Sequence, residues 1–269
     1  MMKVRMYGEK PYKVVVVHGG PGALGDMFPV CKELSKMFGV LEPLLAETTI
    51  EGQFNKLKDI IEAHSTSPII LIGHSWGAML AYMFTSKYQH LVRKLILISS
   101  GPLEEDYVVE FKKRREEKLT ISEAATLRTY LKAFSDLKDK ALDKHLAIVG
   151  EFMERINSFS LIDMPYEGSL FKYKTFQSIS LEITQLRQTG EMFNMGKSID
   201  CEVIVIHGTH DFHPAFAMKA SLEKLGIKFR YYELDKCGHT PWKEKYAKKA
   251  FFDILTSVVS ENLETKEGV

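Results

Sequence analysis

At 269 residues with 45% apolar side chains, the chain can bury a large core, either as one α/β domain with an insertion or as two small domains. Its 36 basic and 35 acidic side chains nearly cancel, which excludes a global field that would recruit nucleic acid or an anionic membrane and points to small-molecule partners. Cys31, Cys201 and Cys237 are odd in number and form no C-x-x-C pair, which excludes a disulfide scaffold and fits a reducing compartment.

Residues 1–10 lack the apolar stretch of a signal peptide, and no segment approaches the roughly 18 uncharged apolar residues of a membrane span, so a cytoplasmic location is expected. The first predicted strand is Lys13-Val14-Val15-Val16-Val17, a β-branched run without alternation, as in a parallel sheet covered on both faces. It leads into His18-Gly19-Gly20-Pro21-Gly22, and two chemistries compete for this loop. Gly20 to Gly25 matches G-x-G-x-x-G, with Glu42 about twenty residues on where a dinucleotide fold places its ribose-binding acid. Against a nucleotide, Pro21 has no N–H to offer a pyrophosphate. In the other reading the glycines bring backbone close to a reacting carbonyl, and an N–H of Gly20 (or Gly19) joins that of Trp76 in an oxyanion hole.

Residues 39–45 read as a short strand and 53–64 as an amphipathic helix. Ile69-Ile70-Leu71-Ile72 then runs into Gly73-His74-Ser75-Trp76-Gly77 and an apolar helical pattern: a strand, a sharp turn and a helix. Glycines at 73 and 77 are needed because a side chain at either position would strike neighbouring backbone. Ser75 is left at the tip, suited to act as a nucleophile at a helix N-terminus.

Together, His18-Gly19-Gly20-Pro21-Gly22 and Gly73-His74-Ser75-Trp76-Gly77 resemble the α/β-hydrolase superfamily, most closely its proline-iminopeptidase-like branch. That branch pairs an HGGPG loop with an elbow followed by Trp-Gly. The resemblance covers roughly 13–102 and 199–262. It implies a mostly parallel sheet with helices on both faces and an inserted helical cap. This chain departs from the branch at His74, where a glycine is usual, and in its reduced N-terminal strands.

Residues 93–100 read as another buried strand. From 103 to 197 the β-branched runs stop and helical periodicity takes over (107–119, 122–134, 137–159 and, more loosely, 170–195). The expected organisation is a core of 1–102 and 198–269 with a cap of 103–197. The basic run Lys112-Lys113-Arg114-Arg115 lies among Glu110, Glu116 and Glu117 and reads as a solvated helix face. The insertion's many aromatics include Phe111, Phe171 and Phe176, and some of them are expected to line a pocket between insertion and sheet.

The strand at 201–208 is followed by Asp211, where the superfamily keeps its triad acid, and the strand at 228–234 by His239, where it keeps the catalytic histidine. The order Ser75, Asp211, His239 is the superfamily's order. Asp235, on the same connection as His239, reads as a turn or solvent-facing carboxylate. His207, His210, Asp211 and His213 are dense in metal-ligand types, but their spacing matches no metal signature. The expectation is a serine hydrolase without cofactor or metal. Its substrate would be a small ester or amide or a short peptide, the resemblance implying an aminopeptidase of proline-iminopeptidase type; the alternatives are a small-molecule carboxylesterase and a non-catalytic ligand-binding member of the fold. An aminopeptidase would need cap carboxylates for a free amine, and Glu104, Glu105, Glu167, Glu182 and Glu191 are available.

Overall fold

A computed structural model describes residues 4–162 and 170–261. In chain order the elements are β1 (Val4–Tyr7), β2 (Tyr12–Val17), β3 (Ala23–Leu24), α1 (Phe28–Leu34), β4 (Gly39–Pro43), α2 (Ile50–His64), β5 (Ser65–His74), α3 (Trp76–Lys87), β6 (Val92–Ile98), α4 (Asp106–Lys118), α5 (Ile121–Ala133), α6 (Lys140–Ile156), β7 (Leu170–Phe171), α7 (Tyr173–Gln188), α8 (Glu191–Met195), β8 (Glu202–Gly208), α9 (Ala215–Lys224), β9 (Phe229–Leu234) and α10 (Lys248–Ser260). Seven strands form the main sheet in the order β1-β4-β2-β5-β6-β8-β9. All its pairings are parallel except β1 with β4, so the described N-terminal segment adds one antiparallel edge strand.

The unbroken apolar runs are explained by burial on both faces. Along β2, Val15 and Val17 join a core with α2, α3 and α9, whereas Val14 and Val16 join a second core with α1 and α10. Truncating one such side chain, Leu71→Ala for instance, removes buried area and leaves a cavity, at a cost of about 2–5 kcal/mol. Helix α3 is buried from Trp76 to Thr85, which is why it shows little amphipathic contrast.

The elements between β6 and β8 behave differently. Helices α4, α5 and α6 bury few residues; α4 buries none. The basic run lies on α4 but does not form one solvated face, because successive helical positions point about 100° apart. Lys112 and Lys113 are exposed, with Lys113 3.9 Å from Glu117. Arg114 and Arg115 are half-buried, Arg114 pairing with Glu110 at 3.1 Å and lying over the Phe216 ring and Arg115 over that of Phe111. Helices α7 and α8 instead contribute Ile179, Ile183 and Met192 to the same core as α3. The Thr175 hydroxyl donates to the Ala46 carbonyl (2.7 Å), Glu182 accepts the Ile50 N–H (2.9 Å), and Arg187 donates to the Pro102 carbonyl (2.9 Å). The loose periodicity over 170–195 is thus two helices, broken at Gly190, where φ is 73°. No described helix is long and apolar enough to cross a membrane.

Candidate active site

Between β5 and α3 lies a single residue, Ser75, at φ 54° and ψ −115°. Such a conformation costs a non-glycine residue about 1–3 kcal/mol. It is held by the Ser75 N–H donating to the Ile98 carbonyl (2.9 Å) and by the Ala78 N–H donating to the Ser75 carbonyl (3.1 Å). Glycine is required on both sides. A Cβ at 73 would strike the Gly77 carbonyl oxygen, and one at 77 would lie 2.5 Å from the Val17 carbonyl oxygen. The hydroxyl therefore sits at the N-terminus of α3, where unpaired N–H groups and the helix dipole favour negative charge.

Two loops at the same edge of the sheet reach Ser75. His239, after β9, places Nε2 at 2.9 Å from Ser75 Oγ and Nδ1 at 2.7 Å from Asp211 Oδ2, beyond β8. A carboxylate only accepts, so Nδ1 carries the proton and Nε2 is free to accept one. The His239 backbone is pinned twice: its N–H donates to the Asn157 carbonyl (2.9 Å), and its carbonyl accepts from His74 Nε2 (2.9 Å). Burial lowers the His239 pKa, but the charge and hydrogen bond of Asp211 outweigh it, and the net shift is upward from 6.5. Asp235 is exposed and stands apart from this array.

Asp211 is 1% exposed and densely partnered. Its Oδ1 accepts from the His213 N–H (2.9 Å), His213 Nδ1 (3.2 Å) and Asn157 Nδ2 (3.1 Å). Burial pushes this carboxyl up, but the charges and hydrogen bonds of His239 and His213 hold it well below the ordinary carboxylate range. His213 stacks between His239 and Phe111, with centroids 4.7 Å away on each side. Burial drives its own pKa down to about 4, so near pH 7 it is a neutral donor.

The loop after β2 lies opposite. His18 is fully buried; it accepts the Leu45 N–H at Nε2 (3.2 Å) and contacts the Gly19 carbonyl through Nδ1 (3.0 Å), which leaves it a strut rather than a proton carrier. The Gly19 N–H donates to Asp26 Oδ1 at 3.1 Å and is spent there. Gly20, the next residue, borders the same cavity as Ser75.

That cavity, of about 340 Å³, is also bordered by Phe111, Leu146, Met153, Phe171, Phe176 and Phe212. Among the described residues, Glu104, Glu105, Glu182 and Glu191 do not line it; Glu167 lies outside them. Glu104 binds the Ser221 hydroxyl (2.7 Å) and Lys224 (3.0 Å), and Glu182 caps α2 as described. The carboxylates that do line the cavity are Asp26 and Glu154, neither singled out by the sequence. Glu154 is paired with Lys243 at 2.7 Å, and loss of hydration in the cavity wall raises Asp26 to about 7. Asn157 and His213 were missed as well; only the histidine density around Asp211 hinted at His213.

The two competing motifs resolve into structural contacts. Ala23–Leu24 of the G-x-G-x-x-G stretch forms β3, which pairs with β7, and Glu42 is bound by the Tyr7 hydroxyl (2.6 Å) and Arg5 (3.6 Å). Of the histidine-rich turn, His210 packs edge-on against Phe159 (centroids 5.4 Å apart). Donor atoms of Asp211, His213 and His239 do lie within 4.8 Å of one another, but at hydrogen-bond spacing. A metal ion there would have to break the 2.7 Å contact between Asp211 and His239.

The family pattern described as alpha/beta hydrolase fold matches residues 49–246. A proline iminopeptidase of Saccharolobus solfataricus is 28% identical over 166 residues, which is 56% of this chain and 52% of the relative, so the match spans about half of that protein. Two solved structures share the fold. The crystal structure of VinJ (TM-score 0.69, 16% identity) matches over 95% of this chain and 93% of its own. That of a Paleococcus ferrophilus monoacylglycerol lipase (TM-score 0.63, 15% identity) matches over 96% and 98%. On the match to its sequence pattern and on its fold, the chain belongs to the alpha/beta hydrolase family.

Proposed function

We propose that the protein is a serine hydrolase that cleaves esters of small, largely apolar acyl groups through an acyl-enzyme. The observation that carries this reading is the line from Asp211 Oδ2 through His239 to Ser75 Oγ, with contacts of 2.7 and 2.9 Å, opening on an apolar cavity. His239 Nε2 takes the Ser75 proton as Oγ attacks the acyl carbon, and Asp211 keeps the imidazole in the required tautomer and stabilises its protonated form. The oxyanion is received by the N–H groups of Trp76 and Gly20, since that of Gly19 is committed to Asp26. His239 then returns the proton to the leaving oxygen, and water repeats the sequence to release the acid. The chain's own side chains perform every proton transfer.

In this reading residues 103–197 act as a cap over a core of 1–102 and 198–269. Helices α4 and α6 supply Phe111, Leu146 and Met153 to the cavity, while α7 and α8 anchor the insertion. The competing reading is an aminopeptidase. It is favoured by the 28% identity to a proline iminopeptidase and by Asp26 and Glu154 in the cavity wall. It is weakened by the pairing of Glu154 with Lys243, because a carboxylate that already holds a cation gains less from a substrate ammonium group. Turnover of acyl esters beside aminoacyl amides, with Ser75→Ala as the blank, tests the proposal; turnover of neither would favour a ligand-binding role.

A further inference from the structure

Helix α6 turns Leu146, Gly150, Met153 and Glu154 toward the cavity and ends at Asn157, which also borders it. Asn157 is 6% exposed. Its Nδ2 donates to Asp211 Oδ1 (3.1 Å), and its Oδ1 accepts the Phe212 N–H (2.7 Å). Its carbonyl accepts the His239 N–H (2.9 Å). The amide orientation follows from its partners, since a carboxylate can only accept and a backbone N–H can only donate. One residue of the insertion thus clasps the loop of the acid and the loop of the histidine.

We propose that Asn157 is a positioning residue for the Asp211–His239 pair, so that helix α6, which lines the substrate cavity, also sets the alignment of the proton relay. The inference rests on the serine hydrolase reading and goes beyond it. With Asn157 and His213 on Oδ1, the carboxylate is fixed so that Oδ2 faces His239 at 2.7 Å, with His207 Nε2 3.4 Å from the same oxygen. Without the amide, Oδ1 keeps only the N–H and Nδ1 of His213 (2.9 and 3.2 Å), and two things change: the carboxylate is held less firmly, and its charge, shared with fewer donors, holds the His239 proton more tightly. The first lowers kcat, and the second moves the acid limb of activity to higher pH. The other titratable groups around the pair are His74 at the end of β5, His207 in β8, His210 and His213 after it, Lys118 of α4, Glu154 of α6, Cys237, Glu244 and Asp26. A substitution at 157 removes none of these groups.

The test is the kcat–pH profile for p-nitrophenyl butyrate of the full chain and of Asn157→Ala and Asn157→Asp. For Asn157→Ala, kcat is expected to fall about 10- to 100-fold, the range of a lost hydrogen bond to a charged group, with KM within about twofold. Its acid limb should move to higher pH. Asn157→Asp has the same shape and keeps an acceptor for the Phe212 N–H, but the two carboxyls share one proton, and once it leaves, the added negative charge beside Asp211 holds the His239 proton more tightly. It should move the acid limb further, and it serves as the readout should the alanine variant fail to fold. An active wild type whose acid limb is unmoved in both variants overturns the proposal, even if both lose activity through lower stability. A wild type that neither turns over esters nor is labelled at Ser75 by a fluorophosphonate overturns the hydrolase reading, and this inference with it.

Discussion

The Gly19 N–H donates to Asp26 Oδ1 at 3.1 Å, so a half-buried carboxylate holds the backbone of the loop facing Ser75. Its raised pKa, about 7 against an ordinary 3.8, makes it a measurable liability. An acid whose folded pKa is raised contributes stability that is complete below the unfolded pKa and is lost as pH rises through the folded value, here between about 4 and 7. Asn in its place keeps the acceptor for Gly19 without the charge. Asp26→Asn is expected to raise the melting temperature by a few degrees at pH 8, with the gain shrinking toward pH 4. Thermal melts across that range check it; a gain that grows as pH falls contradicts the assignment.

Asp211 rather than Asp235 is expected to orient His239. Asp211→Asn leaves the imidazole in the wrong tautomer and should cost on the order of 10⁴ in kcat. Asp235 is exposed, and Asp235→Asn should change kcat little. Steady-state kinetics of the two variants decide the point, and the reverse ranking would show that the acid lies elsewhere.

The pH dependence should carry the imprint of Asp211. Burial of His239 lowers its pKa and the adjacent carboxylate raises it, with a net rise above 6.5. The imidazole must be neutral to accept the Ser75 proton, so kcat/KM should climb with pH through a point above 6.5. The same upward shift stabilises the folded chain below pH 6.5, and that contribution is lost as pH rises through the folded value. An acid limb well below 6.5 would mean that His239 is not the base.

Substrate preference should follow the cavity wall. Short and medium acyl esters are expected to outperform proline arylamides, and N-acetylation of the arylamide should change its rate little. Strong rejection of the acetylated form, reproduced by Asp26→Asn or Glu154→Gln, would instead assign the cavity to a free amine. Gly150 borders the cavity, and a Cβ there would lie 3.3 Å from the Phe171 ring. Gly150→Leu is therefore expected to lower kcat/KM for longer acyl chains more than for acetyl esters.

What could be read in the sequence and what could not divide on physical grounds. The strand at 13–17, the elbow around Ser75 and the positions of Asp211 and His239 rest on local patterns: β-branched runs, paired glycines and residues just past strand ends. The glycine requirement held because Gly73 and Gly77 face backbone oxygens. Asn157 and Glu154 matter through contacts made across the fold, Asn157 meeting Asp211 from 54 residues away and Glu154 meeting Lys243 from 89, and no local pattern marks them; Asp26 reaches back only 7 residues to Gly19, within a loop whose shape the sequence does not show. The glutamates between β6 and β8 were available by composition, but Glu104 and Glu182 are engaged by Ser221, Lys224 and the Ile50 N–H. Helix α6 was legible from its periodicity, although the residues of its cavity face acquire meaning only once α6 is laid over Ser75.

The most direct test of the central claim is labelling by a fluorophosphonate probe, located by mass spectrometry of the digested protein. Rapid incorporation of one label at Ser75, abolished in Ser75→Ala with the fold intact and strongly slowed in a His239→Ala variant, is the expected result. Labelling that persists in Ser75→Ala, or a wild type that stays unlabelled while still folded, would contradict it.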